Sequence, residues 1–451
     1  MARFDSTIRT LGTVALLGAA SPFTLGLVAL SQVGVWRGER DGRASQSGTS
    51  YPVGGRKTIL ISGAKMTKAL VLARAFHRAG HRVILCESHR YAMAAHQYSN
   101  AVDIFETLPD TGSADYAEAL KHLIRRHGVD IYVPVTSPAG SLHDSALVPD
   151  LNADCKVLHV GPDLIAALDD KAQFANAAAK AGLKTPETVR VTSVEEVLDF
   201  DFASRKRAFI LKSIAYDPVG RLDLTRLPMK DRGAMADYVA SLEIGEDNPF
   251  VLQEFIPGTE FCTHGFFRDG ELRVHCCCAS SAFQVNYDHV EKPGIRTWVE
   301  TFGRANRLTG QASFDFIEAE DDGDIYAIEC NPRTHSAITL FADDDRLAES
   351  YLDPQSGRDA IEPPRDTRPT YWIAHEVARL FAALPSLNAV NDRLSIIARG
   401  RDAALDPRDP LPFLALHHLH IPILLLRAWA EGREWYRIDF NIGKLVMAGG
   451  D

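Results

Sequence analysis

A basic excess is missing from this chain: 49 lysines and arginines face 59 aspartates and glutamates, a formal net charge of −10. No surplus of cations is available to neutralise a phosphate backbone, and basic residues do not run in long clusters, so no nucleic-acid partner is expected. Seven cysteines are an odd number in 451 residues, and no CxxC pair occurs, which argues against a disulfide framework and a zinc ribbon. Cys276, Cys277 and Cys278 alternate faces in a strand-like run and cannot converge on one metal, so buried thiols in a reducing cytosol account for them. The three-glycine dinucleotide fingerprint is also absent. Gly63 stands alone after the first strand, although Glu87 lies at the distance of a ribose-binding acid. His417, His418 and His420 lack the i, i+4 spacing of a helical metal pair. Internal repeats are missing as well.

Long uncharged runs are scarce, with one exception near the N-terminus. Residues 10–36 carry no charge and lie between Arg9 and Arg37, a length sufficient to cross a bilayer core. Ser21-Pro22 interrupts the run and small polar residues dilute it, which suits an in-plane or re-entrant anchor as well as a span. Residues 1–36 are therefore read as a membrane-anchor candidate on a cytoplasmic catalytic body, held at the inner face of the membrane. Residues 37–56, rich in Gly, Ser and Arg, read as a flexible linker.

With 46% hydrophobic residues the chain can bury sizeable cores in two or three domains. Residues 57–160 alternate strand and helix: KTILISG, a helix closed by Gly80, RVILC, a helix capped by Ser113 and ended by Gly128, and IYVPV. That order predicts a doubly wound parallel sheet. Residues 161–350 mix helices with strand pairs, beginning with one helical stretch over 162–182. Residues 351–451 form a helix-rich extension that ends on a strand-like FNIGKLV.

The most informative residues lie at the end of the middle region. Glu329-Cys330-Asn331-Pro332-Arg333 places a carboxylate and an amide on one face of a strand, with a guanidinium just beyond. Strands over 312–319 and 325–330, joined by Asp321-Asp322-Gly323 as a three-residue loop, pair Glu320 with Asp324. Counting back sets Asp315 opposite Glu329, so Asp315, Glu329 and Asn331 converge on one face. A hard divalent cation prefers oxygen ligands, and bound polyphosphate adds oxygens and a need for positive charge. The trio suits magnesium and a nucleotide. Upstream, Lys171 and Lys212 can reach phosphate oxygens. Gln253-Glu254-Phe255-Ile256 ends a strand whose free backbone groups can read an adenine edge, and Glu260 can accept from ribose hydroxyls.

The order Lys171, Lys212, QEFIPGTE, Asp315 and ECNPR resembles the ATP-grasp superfamily over roughly residues 160–345. The resemblance implies an α/β and α+β chain: an ATP-grasp fold behind an N-terminal doubly wound parallel sheet, with the helix-rich C-terminal extension beyond. It implies ATP and one or two Mg2+ ions, with Mn2+ as an alternative, on Asp315, Glu329 and Asn331. Lys171, Lys212 and Arg333 would hold phosphates, with Arg333 and Lys212 as the catalytic pair. Gln253, Glu254, Phe255 and Ile256 would line the adenine hinge, and Glu260 the ribose. The loop SIAYDPVGRLDL departs from a glycine-rich phosphate cover: it has only Gly220, and Tyr216 or Arg221 would take over.

A wider resemblance runs from Lys57 to Asp451. ISGAKMTKALVLARAFHRAGHRVIL, NRLTGQASFDFI, AIECNPRTHSAIT, PTYWIAHE and IDFNIGKLV are similar to the mycosporine-glycine synthases. That family implies a ligase that phosphorylates 4-deoxygadusol with ATP and joins it to the amine of glycine. For the organic substrate, His335 and Ser336 follow Arg333, while Lys65, Thr67, Arg90 and Ser137 sit at strand ends of the first sheet, where such folds bind small ligands. Two other readings stay open: an ATP-grasp ligase for another amino acid or carboxylic acid, and a non-catalytic, membrane-tethered nucleotide-binding protein. The oligomeric state, a homodimer included, is also open.

Overall fold

Hydrophobic alternation in the first strand decides the first domain. In the computed structural model, which describes residues 2–40, 55–214, 223–280, 286–355, 357 and 359–447, Ile59 and Ile61 pack into one core and Leu60 into another. Both faces of the sheet must therefore be covered, as a parallel sheet requires. Helices α1 (Ala2–Ala19) and α2 (Ser21–Arg40) precede it. Then follow β1 (Thr58–Ile61), α3 (Thr67–Arg78), β2 (Arg82–Ser88), β3 (Ile104–Leu108), α4 (Tyr116–His127), β4 (Ile131–Val133), α5 (Pro138–Leu151) and β5 (Lys156–Val157). The strands are parallel in the order β3-β2-β1-β4-β5, so the topological switch point lies between β1 and β4. Gly63 closes the turn after β1 at φ +71°, where a side chain would strike the carbonyl of Val135.

The middle region continues with α6 (Pro162–Asp169), α7 (Lys171–Lys180), β6 (Thr188–Val191), α8 (Val194–Leu198), β7 (Phe209–Ser213), α9 (Arg232–Ser241), β8 (Phe250–Glu254), β9 (Gly258–Arg268), β10 (Glu271–Ala279), β11 (Asn286–Tyr287), α10 (Pro293–Ala305), β12 (Gly310–Ala319), β13 (Ile325–Asn331) and α11 (Arg346–Leu352). It forms two antiparallel sheets, β6-β8-β7 and β10-β9-β12-β13. The expected single helix over 162–182 is two, because Asp170 leaves the helix and its carboxylate caps α7 through Ala172 and Gln173. Ser113 does not cap α4; Asp115 holds that position.

An aromatic cluster fixes the second sheet. Phe174 of α7 lies 5.4 Å from Phe302, Trp298 stacks on Phe302 at 5.1 Å, and Phe314 and Phe316 close the group at 5.4 Å from Phe302 and 5.2 Å from Trp298. Because strand residues alternate, burying Phe314 and Phe316 turns Ser313 and Asp315 to the opposite face.

The last region holds β14 (Thr370–Tyr371), α12 (Ile373–Ala383), α13 (Leu387–Arg399), β15 (Arg401–Asp402), α14 (Leu411–Ala415), α15 (Ile421–Ala430), β16 (Trp435–Asp439) and β17 (Lys444–Met447). It is no separate appendage. Trp372, Phe413, Leu416, Ile421 and Leu445 share one core with β1, β2 and α3. Buried Arg74 of α3 binds the Asp409 carboxylate at 2.9 Å and the carbonyls of Ala404 and Asp409.

The N-terminal helices differ from expectation in two ways. The proline step does not break them apart, since Ala20 N bonds Leu16 O and Thr24 N bonds Ala20 O. The helix also runs to Arg40, into the stretch read as a linker; residues 41–54 of that linker, and Tyr216, Gly220 and Arg221 of the phosphate loop, lie outside the described residues. Helix α1 docks on α15 and β16, where Trp429 donates to Thr7 at 3.3 Å and Trp435 to Thr10 at 2.9 Å, and Thr24 of α2 meets His418 at 2.6 Å. Ile8, Leu16, Phe23, Leu25 and Leu30 stay exposed.

Phe174→Ala should destabilise the protein by about 3–5 kcal/mol in a denaturant titration, the usual result of emptying an aromatic core site. Asp144 gives a pH-dependent counterpart. It accepts from the Tyr116 hydroxyl at 2.6 Å, and burial pushes its carboxyl up to about 7. A raised carboxyl value weakens the fold as the pH climbs from the ordinary value of 3.8 to about 7. Three units correspond to at most about 4 kcal/mol. Asp144→Asn should therefore gain stability over the parent across that interval, measured as the difference in unfolding free energy at each pH.

Candidate functional site

The acidic hairpin brings Asp315 opposite Glu329 and Ser313 opposite Asn331. It does so by a different count from the expected one. Near the turn Ala319 faces Asp324 and Glu318 pairs with Ile325, one residue out of the expected register. A bulge at Ile328 then adds the missing residue and restores the pairing of Asp315 with Glu329. Gly323 takes the left-handed position, φ +71°. Buried Gln253 holds the bulge by donating to the Ile328 carbonyl at 3.3 Å, which also ties the two antiparallel sheets together.

The two carboxyl groups face each other in a half-buried cleft, the Glu329 side chain 31% exposed. Burial and the charge of Glu329 push Asp315 well above the usual carboxylate range. Burial alone would push Glu329 up as well, but Lys171 and Lys212 carry it down, to about 2. The two groups are thus driven apart, Asp315 toward its neutral form and Glu329 toward its ionised one. Lys171 stands at the first turn of α7, its ammonium 3.5 Å from Glu329. Lys212 comes from β7, and burial lowers its pKa.

Two carboxylates that need a cation between them, with an amide beside them, fit a divalent ion that keeps some water and phosphate oxygens as ligands. Among the described residues no group of three or more His, Cys, Asp and Glu could hold a metal, so the donor set is this pair plus Asn331. The amide nitrogen of Asn331 points at Asp315 and Glu329, at 3.4 and 3.3 Å, while its oxygen accepts from Arg333. Amide rotation would present the oxygen to an ion. Arg333 lies 3.7 Å from Asp169.

Around this centre, Glu254 is engaged by Arg207 at 3.3 Å, and its N–H bonds the Glu187 carbonyl. The N–H of Phe255 is taken by the carbonyl of Ala208. Glu260 accepts from the Ser280 hydroxyl at 3.1 Å. On the first sheet, Lys65 is paired with Glu87 at 3.2 Å and lies over the Tyr91 ring. Thr67 is fully buried and accepts from the Trp372 indole at 3.0 Å. Ser137 caps α5. Arg90 lines a cavity of about 250 Å³ with Arg427 and Arg433. His335 caps the short turn Ser336–Phe341 and is held neutral, its pKa lowered to about 3 by burial and the charges of Lys68 and Arg333. Ser336 exchanges hydrogen bonds with Asn441 at 2.7 and 3.0 Å.

Sequence reasoning missed Ser313, Lys68, Asp169 and Asn441. Ser313, buried with an unpartnered hydroxyl, was within reach of the alternation that revealed Asp315. Asn441 carries no local signal, because more than a hundred residues separate it from the turn it meets.

No family model matches the chain. It is 24% identical over 267 residues to multifunctional protein URA2 of Saccharomyces cerevisiae; the match covers 52% of this chain and 11% of that protein, so the chain spans a small part of its curated relative. Among solved structures it is similar to N5-carboxyaminoimidazole synthetase from Staphylococcus aureus complexed with ADP, with a TM-score of 0.50 at 15% identity over 69% of this chain and 80% of that one. An ADP complex of N5-carboxyaminoimidazole ribonucleotide synthetase gives 0.52 at 15% over 71% and 81%. The biotin carboxylase domain of Hydrogenobacter thermophilus 2-oxoglutarate carboxylase, bound to MgADP and bicarbonate, gives 0.51 at 16% over 67% and 71%. The fold is accordingly that of the ATP-grasp enzymes, a mixed α/β architecture with a parallel-sheet domain in front and a helical part behind.

Proposed function

We propose that the chain is an ATP- and magnesium-dependent ligase that phosphorylates 4-deoxygadusol and joins it to the amine of glycine, giving mycosporine-glycine, ADP and phosphate. The observation that carries the nucleotide half is the half-buried pair Asp315 and Glu329 beside Lys171 and Lys212. ADP-bound neighbours of the same fold support it. The acceptor half rests on the resemblance in segments that include the Arg333–Thr339 turn and the C-terminal hairpin, which lie side by side through Ser336 and Asn441.

In this reading Asp315, Glu329 and Asn331 hold magnesium, which supplies Lewis-acid charge neutralisation when bound. Lys171, Lys212 and Arg333 hold phosphate oxygens and neutralise charge as the γ-phosphoryl group moves. The backbone of Gln253 to Ile256 receives adenine, and Glu260 the ribose. An oxygen of the cyclohexenone attacks the γ-phosphorus and ADP departs. The glycine amine then adds to the carbon bearing that oxygen, loses a proton, and the C–O bond breaks to release phosphate. The protein's share is to align the two substrates and exclude water. The outward face of α1 and α2, with Leu16 and Leu30 exposed, would rest on a membrane surface and keep the catalytic body at its cytoplasmic side.

Incubation with ATP, magnesium, 4-deoxygadusol and a panel of amino acids tests the reaction: glycine-dependent phosphate release is expected. Release only with other amino acids or carboxylic acids would replace the substrate assignment, and none at all would favour a nucleotide-binding protein without turnover. Chelation with EDTA should stop turnover, and Mg2+ or Mn2+ should restore it. Glu329→Gln should lower turnover roughly a hundredfold or more and abolish the thermal shift caused by MgADP while leaving the melting temperature of the free protein level or higher. For the membrane contact, the parent should float with anionic vesicles in a density gradient, and a Leu16→Asp, Leu30→Asp double variant should remain at the bottom.

A further inference from the structure

Lys68 is a buried charged group for which the described contacts give no counter-ion and the ligase reading no task. It sits in the first turn of α3, 7% exposed, and its ammonium donates to the carbonyl of Thr334 at 2.7 Å. A buried ammonium usually lies against a carboxylate, because a lone carbonyl offsets little of the lost hydration. Beside that carbonyl the Thr334 hydroxyl is buried with no partner among the described residues. Two polar groups, one of them charged, are thus left incompletely satisfied just beyond Arg333.

The surroundings are positive. Arg333 and His335 face Lys68 from the segment after β13, Lys65 from the turn before α3, His264 from β9 and Asp439 from the end of β16. His264 and His335 are both held neutral by burial. Glu87 is committed to Lys65 and Asp169 to Arg333, which leaves Asp439 as the nearby acid, out of contact. The C-terminal hairpin forms the other wall. Asn441 accepts from the Thr67 N–H through its carbonyl at 2.9 Å and exchanges side-chain bonds with Ser336. Gly443 packs so closely on the Lys65 carbonyl that a Cβ would stand 2.3 Å from it, at φ +58°.

We propose that Lys68, Ser336 and Asn441 form an anion subsite for the substrate that meets the γ-phosphate, with the ionised oxygen of a small organic acid against the Lys68 ammonium and its neutral oxygens on the Ser336–Asn441 pair. The C-terminal hairpin is then a specificity element rather than a structural cap. The inference rests on the ligase reading and names the chemistry of its acceptor end. Two substrates carry such an oxygen: the vinylogous acid of 4-deoxygadusol and the carboxylate of glycine.

Calorimetric titration of each compound into the MgADP-loaded full chain separates them. Lys68→Gln should weaken at least one of the two about tenfold or more, and Asn441→Ala severalfold, with MgADP affinity unchanged in both; the compound affected identifies the source of the anion. Burial, with Arg333 nearby, lowers the Lys68 pKa to about 7, so parental affinity should fall as the pH rises through that value and Lys68→Gln should flatten the fall. Parental affinity for both compounds in Lys68→Gln overturns the inference, whatever its melting temperature, and makes Lys68 a staple between α3 and Thr334; the ligase reading survives that result. A parent that binds MgADP but neither compound overturns the subsite and the substrate assignment together.

Discussion

Two carboxyl groups pressed together in a half-buried cleft resist being ionised together unless positive charge comes with them. The pair Asp315 and Glu329 imposes that condition on everything around it. The charge is delivered from separate elements: Lys171 from the start of a helix and Lys212 from a strand of the other sheet. Each supplier depends on packing some distance away. Phe174, three residues beyond Lys171, anchors α7 in the aromatic cluster, and the same cluster buries Phe314 and Phe316 so that Asp315 faces the cleft. One hydrophobic core thus turns both the Lys171 ammonium and the Asp315 carboxyl into the cleft.

A second dependence links the ends of the chain to the site. The C-terminal region shares its core with the first parallel sheet, and α3 lies between them, held by Arg74 at one side and contributing Lys68 at the other. The surroundings of Lys68 therefore draw residues from three stretches more than a hundred positions apart. The two N-terminal helices add to the same body through threonine hydroxyls on two tryptophans and a histidine and through Val14, Leu17, Leu27 and Val28, while Leu16, Phe23, Leu25 and Leu30 stay outward.

Much of the site was legible because it obeys short periods. Alternation along SFDF and ECN places Asp315, Glu329 and Asn331 on one face whatever lies around them. The register itself was reached by a compensation: the turn is one residue off the expected count, and the bulge at Ile328 restores it. Bulges follow from competition between a turn's preferred geometry and the burial of flanking side chains, and Gln253, from another sheet, stabilises this one. No local pattern contains that information. The break at Asp170 is the converse case, for a carboxylate preceding a lysine is an ordinary capping arrangement that a continuous helical pattern concealed.

The sequence by itself determined the elements: a doubly covered first sheet from its apolar strands, and the acidic hairpin with the lysines upstream of it. It could do so because strand alternation, helix periodicity and turn chemistry act over a few residues. Only the tertiary structure decided which charges meet. The descent of Glu329 below the ordinary range, the neutrality of His335, the engagement of Thr67 by Trp372 and the pairing of Ser336 with Asn441 arise from burial and from contacts between distant segments. Desolvation and charge proximity are properties of where groups lie in space, and the order of residues along the chain does not contain them.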